Sequence, residues 1–455
     1  MRFPLISKVG ALGAVTLGLI WSLSSVQSVV QERQQRQQEA EHSVANSLAG
    51  SQKILGPVVT RLCTETWVAG QTEGANPRPV YEATKRLIRL PASQLNVDGK
   101  VSMTPRYRGM FKVNGYTVKS KITAQWADTM ALQPSTEHPK GQLSCEAPIL
   151  SVGLSDARGI RVAELVVNGH SFPVSPGSGV SSSPQGFQAA LNDSSWKDGA
   201  PMSVSLELEL AGTQALAITP VANTTLVKLS ADWPHPSFGG RFLPNERVVQ
   251  AKSFDATWKV TSLASTAQQE WVHGSPLCGN VASNEGAATG CVESFGIDFM
   301  DPVNPYVLSD RATKYGLLFI ALTFVGVGLV EVLRRLRVHP IQYLLVGAAL
   351  SVFFLLLVSL SEHMAFAYAY AAASLACTLL LTFYGSFVLQ GMRAGLAFGG
   401  GIAGLFATLY ALLQMEQTAL VLGSVLLFLV LAAVMVTTRK LNWYELLGQM
   451  RQERV

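Results

Sequence analysis

Apolar residues along this chain gather into a few long runs separated by a large polar insert. Near the C-terminus, stretches 315–330, 340–361, 364–392, 394–415 and 417–438 contain no Asp, Glu, Lys or Arg. A membrane-crossing helix needs about 20 mostly apolar residues, so each stretch predicts one span. The first reaches that length, Tyr315 to Leu333, by taking in Glu331, which has Arg334 and Arg335 three and four residues on for local pairing. Another apolar stretch, Val9 to Val30, precedes the insert and follows Arg2 and Lys8. Its greasiest part, Val9–Ile20, has the length of a secretory signal. Trp21 and Leu23 prolong it, however, and Ser25-Val26-Gln27-Ser28 is a poor cleavage site, which favours an uncleaved anchor.

Between these runs the period changes. Residues 26–50 are rich in Gln, Glu, Arg and Ala and read as a polar helix rising from the anchor. They lack a sustained heptad, so a solvated stalk is expected in place of a coiled coil. Beyond them alternation with period two takes over: Thr117–Trp126, Ser203–Leu210, Thr225–Trp233 and Asp255–Val260. Asp98-Gly99 and Asn168-Gly169 fall between apolar runs, as hairpin turns with positive φ require. Strands without regular intervening helices predict a mainly antiparallel β-sandwich, single or double, with a few capping helices such as one around Gln185–Leu191. The expected fold is a six-span α-helical membrane bundle (one N-terminal span, five C-terminal) carrying this β domain. The division is 1–30 anchor, 31–50 polar helix, 51–313 β-rich domain, 314–438 five-helix bundle and 439–455 tail.

Charge fixes the expected orientation. The 455 residues are 48% hydrophobic and 14% charged, with mean hydropathy +0.27, which excludes a disordered chain. The net charge of +5 first suggests nucleic acid. Residues 31–313 nevertheless hold 24 Lys+Arg against 25 Asp+Glu, so the basic excess lies among the hydrophobic runs, and no nucleic-acid partner is expected. With the N-terminus inside, the inner pieces carry Arg2, Lys8, Arg334, Arg335, Arg337, Arg393, Arg439, Lys440, Arg451 and Arg454. The outer links Ser361–Met364 and Gln414–Thr418 carry neither Lys nor Arg. This asymmetry predicts a multi-pass protein of a bacterial inner membrane, both termini cytoplasmic and residues 31–313 periplasmic.

In an oxidising compartment Cys63, Cys145, Cys278 and Cys291 suggest two disulfides out of three pairings. Cys278 and Cys291 bracket a Gly/Ala/Ser/Asn loop, which favours Cys278–Cys291 and, by remainder, Cys63–Cys145. Cys377, alone in a predicted span, reads as a buried small apolar residue. No CxxC or Cys/His cluster points to a metal, and the seven histidines are scattered. GxSxG, HExxH, P-loop and Rossmann signatures are absent. No catalytic residues, metal or cofactor are therefore assigned.

Two stretches resemble the CreD family of bacterial inner-membrane proteins. One is His339-Pro340, Gln342-Tyr343-Leu344-Leu345-Val346-Gly347, then Ser359-Leu360-Ser361-Glu362-His363 and Ala369-Tyr370. The other is Trp233-Pro234-His235-Pro236-Ser237-Phe238, Gly240, Phe242-Leu243-Pro244, followed by Phe254, Ala256 and Trp258. Gln52, Gly56-Pro57, Arg108-Gly109 and Ser155-Asp156-Ala157-Arg158-Gly159-Ile160 add smaller matches. The chain departs from the pattern at Met110-Phe111, where the family has Ile-Tyr, and at Ser253, where it has Gly. The family pattern runs one strand across 108–118, so Asn114-Gly115 is not expected to be a turn. The resemblance implies a role in cell-envelope integrity, in envelope-stress response and in tolerance of colicins and β-lactams. It implies no enzymatic activity and no cofactor.

Five polar and aromatic residues of the β domain form a candidate ligand or partner surface. Trp233, His235 and Phe238 could present an aromatic face to a sugar or peptide, although such residues more often fill a core. Asp156 and Arg158 could face a ligand from a strand end, although an Asp-x-Arg-Gly turn more often ties itself together. Glu362 and His363, at the outer end of a span, are candidates for membrane-interface coupling or pH sensing. The charge-free span interiors disfavour ion-coupled transport, and Gly395, Gly399, Gly400, Gly401 and Gly404 read as close helix packing. The expected function is a non-enzymatic envelope-integrity factor whose partners are the bilayer and a wall, lipid or protein ligand, in an undetermined oligomeric state. The alternatives are a membrane-anchored periplasmic enzyme or carbohydrate-processing module, and a lipid or small-molecule transporter.

Overall fold

The computed structural model describes residues 5–71, 78–191, 199–278, 290–301, 304–334, 336, 338–415 and 419–439. Several expectations lie outside these residues: the tail 440–455, the loop between Cys278 and Cys291, most of the Gln414–Thr418 link, and Arg2, Arg335 and Arg337. The chain forms two compact units, a helical one of residues 1–38 with 303–455 and a β-rich one of residues 39–302.

The helical unit begins with α1, Leu5–Ser47, a single helix of 43 residues and about 65 Å. The polar stretch 31–47 therefore continues the apolar anchor without a break, since no Pro interrupts it. Only its first part, up to Gln38, belongs to this unit. After α2 in the β unit (Ala267–His273) come α3 (Pro305–Lys314), α4 (Gly316–Arg334), α5 (Pro340–Ser361), α6 (Phe366–Val388), α7 (Met392–Gln414) and α8 (Ala419–Thr438). Among the described residues four helices, α1 from Gly10 onward, α5, α6 and α7, are long and apolar enough to cross a membrane. The pair α3 and α4, bent by 43°, qualifies together as one more, and the apolar run Gly423–Thr438 of α8 is shorter. The expected uninterrupted helix from Tyr315 is thus a bent element beginning ten residues earlier, broken beside Gly316, whose missing side chain admits Leu23 and Phe354.

Helices α1 and α3–α7 share one apolar cluster, including Leu19, Leu23, Phe319, Phe353, Tyr370 and Phe406. Gly395 and Gly399 lie against Ser386 and Thr382 of α6, where a Cβ would collide, so they pack helices as expected. Gly400, Gly401 and Gly404 meet nothing nearby and take no part in that contact. Cys377 is buried and unpaired.

The β unit holds two large sheets. One has nine strands, with the path Ser175–Pro176, Gly186–Ala190, Ile149–Leu154, Gln52–Gln71, Ala215–Thr219, Phe295–Phe299, Pro236–Gly240; Pro79–Leu90 and Gln142–Cys145 also pair with Gln52–Gln71. The other has eight, in the order His170–Phe172, Ile160–Val167, Met202–Thr213, Gly115–Trp126, Gln94–Met103, Thr224–Ala231, Phe254–Thr261, Glu246–Val249. Most pairings are antiparallel, but Gln52–Leu55 runs parallel to Leu216–Thr219, and Gln94–Val101 to Thr224–Ala231, so both sheets are mixed. The alternating residues Val204, Leu206, Leu208 and Leu210 all face inward. They join Trp126, Leu216, Phe254, Trp258, Phe295 and Ile297 in one cluster fed by both sheets. A smaller cluster gathers Leu55, Val58, Val221 and Val292 around the buried Trp271 of α2.

Three local expectations change. Asp98-Gly99 is not a turn. It lies within the strand Gln94–Met103, where Gly99 leaves room for Leu229 from the parallel neighbour. Residues Gly186–Ala190 form a strand in place of a helix, because they pair with Ile149–Gly153. The strand expected across 108–118 is interrupted: Arg106–Arg108 and Phe111–Val113 make a separate hairpin about Gly109 (φ +60°) and Met110, and Gly115 starts the next strand. Asn114-Gly115 is indeed no hairpin turn, whereas Asn168-Gly169 is one, with φ +48° and +84°. Both disulfides are present, Cys63–Cys145 across adjacent strands and Cys278–Cys291.

Candidate functional site

The Ser-Asp-Ala-Arg-Gly-Ile stretch follows the strand Ile149–Leu154, where a 3-10 turn, Ala157–Gly159, is capped by Asp156. Asp156 Oδ1 accepts from the Arg158 backbone N–H (3.1 Å) and Nε (2.9 Å). Its Oδ2 accepts from Arg158 Nη2 (2.6 Å) and the Gly50 N–H (3.0 Å). The hydrogen-bonded Arg158 guanidinium holds the Asp156 carboxyl below the usual carboxylate range, against the opposing effect of burial. The same guanidinium donates to the carbonyls of Asn46 and Ala45 (3.4 Å for the latter) in the last turn of α1. A helix end leaves such carbonyls unsatisfied and carries partial negative charge, so a cation belongs there.

Neighbouring groups complete the joint. Gln52 Nε2 donates to the carbonyls of Asp156 (2.9 Å) and Ala211 (3.0 Å), Thr213 Oγ1 to that of Ala49 (3.0 Å), and Gln214 Nε2 to Glu41 Oε2 (3.0 Å). Gly159 packs so close to the Ala211 carbonyl that no side chain fits. Asp156 and Arg158 therefore seat the end of α1 in the β unit.

The Trp-Pro-His-Pro-Ser-Phe stretch divides between core and solvent. Trp233 is 8% exposed and donates Nε1–H to the His235 carbonyl (2.9 Å). Phe238 turns its ring edgewise to Phe254 (5.8 Å) and Trp258 (5.7 Å). Only His235 is exposed to solvent. Among the described residues this group shares no hydrogen bond, ion pair or ring contact with Asp156 or Arg158, so the five candidates do not form one site.

Glu362 and His363 also part. Glu362, at the end of α5, is 8% exposed in its side chain and faces Arg33 of α1, with Nε 3.2 Å from Oε1. The Tyr306 hydroxyl of α3 lies 3.5 Å from the same oxygen. One turn along α1, Gln37 Oε1 accepts from Asn304 Nδ2 (3.0 Å), while Asn304 Oδ1 caps α3 through the Tyr306 N–H (3.0 Å). His363 is exposed and takes no part. At the other end of α5, His339 and Gln342 form a reciprocal capping box, and the Tyr343 hydroxyl donates to Glu331 Oε2 (2.8 Å), fixing α5 to α4. A small apolar cleft lies beside this corner, lined among others by Val327, Val338, Gln342, Tyr384 and Phe398.

Sequence reasoning passed over three buried carboxylates of the β unit, Glu65, Glu293 and Asp298. Burial raises the pKa of the last; the first two gather several donors. Glu65 is 1% exposed in its side chain and accepts the backbone N–H groups of His138 (2.8 Å) and Glu137 (2.9 Å) and Nη2 of Arg86 (3.1 Å). The His138 N–H, foremost among these, lowers its pKa. His138 in turn stacks on Trp67 at 3.7 Å. The spacing Cys63, Glu65, Trp67 on one strand face was the available signal. Glu293 accepts from Ser265 Oγ (2.6 Å), the Thr266 N–H (3.1 Å) and Arg241 Nε (2.9 Å), and no local motif announces it. Both pin loops beside disulfides. Among the described residues no three His, Cys, Asp or Glu side chains converge as metal ligands.

The family model "Inner membrane protein CreD" matches residues 4–444. The inner membrane protein CreD of Escherichia coli (strain K12) is 30% identical over 447 residues, covering 98% of this chain and 95% of that one. A solved M1 zinc metallopeptidase from Deinococcus radiodurans aligns with 37% of this chain and 38% of its own at 12% identity and TM-score 0.21, too low to carry an argument.

Proposed function

The chain belongs to the CreD family of inner membrane proteins, and from that premise we propose that it is a non-enzymatic factor of cell-envelope integrity and antimicrobial tolerance. In this reading six spans cross the inner membrane, both termini are cytoplasmic, and residues 31–313 stand in the periplasm as a binding module for a wall, lipid or protein partner. The asymmetry of Arg and Lys between the inner and outer links supports that orientation. The observation that carries the functional reading is that the singled-out polar residues hold α1. Arg158 and Asp156 seat its end in the β unit, and Glu362 and Asn304 hold Arg33 and Gln37 in the helical unit. One helix is thus a structural member of both units, as a module that reports a bound partner to a membrane bundle requires.

The test is complementation of a strain lacking the gene, scored by envelope-stress and antimicrobial survival. Loss of residues 31–313 should abolish rescue, and Arg158→Ala in the full chain should reduce it at unchanged abundance. Full rescue by the bare bundle would overturn the division of labour. In-cell crosslinking from the β unit would then identify the partner class.

A further inference from the structure

The hairpin Arg106–Arg108 with Phe111–Val113 belongs to neither large sheet and pairs only with itself. A lone two-stranded ribbon is marginally stable in water and buries little. Its composition is unusual for a solvent-exposed tip: Arg106, Arg108 and Lys112 with Tyr107, Met110 and Phe111, and no acid. Tyr107 is 68% exposed and Met110 45%. Tyr107 stands opposite Lys112 in the register. Among the described residues Arg106 and Arg108 have no ion pair, while Lys112 has Asp301 at 3.9 Å and lies 5.8 Å from the centre of the Trp233 ring. Phe111 is half-buried, and Val113 anchors the ribbon's base.

Through Asp301, Lys112 is tied to the stretch of chain that leads into the bent apolar element. Asp301, the partner of Lys112, precedes by four residues Pro305, the first residue of the bent spanning element. Four residues reach at most about 14 Å. We infer that the ribbon is a membrane-surface anchor: its three cations bind the headgroups of anionic phospholipids, and Tyr107 and Met110 enter the interfacial layer. Interfacial binding combines cations with aromatic and long apolar side chains in this way. A covalent tether keeps the local lipid concentration high, so modest intrinsic affinity suffices. The inference holds whichever leaflet the β unit faces.

The test uses the full chain with Met110→Cys carrying an environment-sensitive fluorophore; the other cysteines are disulfide-bonded or buried. It is reconstituted in neutral phosphatidylcholine vesicles and in vesicles with about a third phosphatidylglycerol. Both leaflets share one composition, and salt and iodide are equilibrated across the vesicles by freeze–thaw, so insertion direction does not matter. In the anionic vesicles the label should shift to the blue, be quenched by spin-labelled lipid and be shielded from aqueous iodide, and high salt should reverse this. Each cation should contribute about five-fold to the bound-to-free ratio, so R106Q/R108Q/K112Q should lower it about 100-fold. Where that variant folds poorly, the salt dependence of the otherwise unaltered chain decides. Equal iodide access in both vesicles, or quenching indifferent to salt, would overturn the inference.

Discussion

The two units treat polar side chains in opposite ways. In the β unit three buried carboxylates draw donors from elsewhere in the chain: Glu65 from 86, 137 and 138, Glu293 from 241, 265 and 266, Asp156 from 50. In the helical unit hydroxyls bond back to their own helix: Thr323 to the Phe319 carbonyl, Ser351 to Gly347, Thr382 to Thr378. Cross-helix polar bonds there gather mostly at helix ends, at Glu331–Tyr343 and Arg33–Glu362, with Tyr370 to the Phe406 carbonyl an interior case. The physical reason is the solvent. Lipid offers no hydrogen bonds, so each spanning segment must satisfy itself, and charge retreats to the rim. In water the sheets can collect partners from anywhere as the chain folds, and a buried charge stays where enough donors converge.

The disulfides give the sharpest way to break this contrast, because covalent constraint belongs to the β unit alone. Cys63–Cys145 closes a separation of 82 residues and Cys278–Cys291 one of 13. Chain entropy predicts that Cys63→Ser with Cys145→Ser costs about 4.5 kcal/mol and the other pair about 3 kcal/mol. Denaturant titration of full-length protein in nanodiscs, followed by β-unit fluorescence, measures both; a reversed order would show that native strain outweighs loop length.

Packing gives the next effect. Trp258 is fully buried between the sheets and touches Phe238 and Phe295, so Trp258→Ala should cost about 4 kcal/mol. Phe383 of α6 is 67% exposed in the protein and faces what the bilayer would fill. Lipid tails are as apolar as the ring's alternatives, so Phe383→Ala should cost less than about 1 kcal/mol in nanodiscs. A large loss there would mean that protein, not lipid, covers this face.

The smallest effect is a pH dependence. Arg158 holds the Asp156 carboxyl low, and the His138 N–H does the same for Glu65. A carboxylate with a depressed folded pKa contributes its stability fully above the ordinary carboxylate range and loses it as pH falls through the folded value. The joint at the end of α1 should therefore hold at neutral pH and loosen only in strong acid. The protection factor of the Gly50 amide, whose N–H Asp156 accepts, should fall towards one at low pH, and Asp156→Asn should remove that dependence. Unchanged protection of Gly50 in acid would dissociate the joint from the charge.

Much of this arrangement was legible in the chain, and the reason is that solvent partition is local. The charge-free runs marked the apolar helices; the alternation at 203–210 marked a strand with one inward face; the short loop between Cys278 and Cys291 pointed to their pairing. Family fragments identified His339-Pro340 and Ser-Asp-Ala-Arg-Gly-Ile as special stretches without saying why. Their work became visible only in three dimensions: His339 and Gln342 cap a helix, and Asp156 and Arg158 hold a helix that ends more than a hundred residues earlier. The same limit explains the misreadings. Asp98-Gly99 has turn chemistry, yet the parallel neighbour Thr224–Ala231 and the room Gly99 leaves for Leu229 keep it in a strand. By itself the sequence determined which segments prefer oil and which prefer water, because that preference is a property of each side chain. Tertiary structure alone decided that Glu362 faces Arg33 and not His363, and that Trp233 turns inward while His235 stays out, because those outcomes depend on which distant groups arrive to satisfy a buried charge or ring.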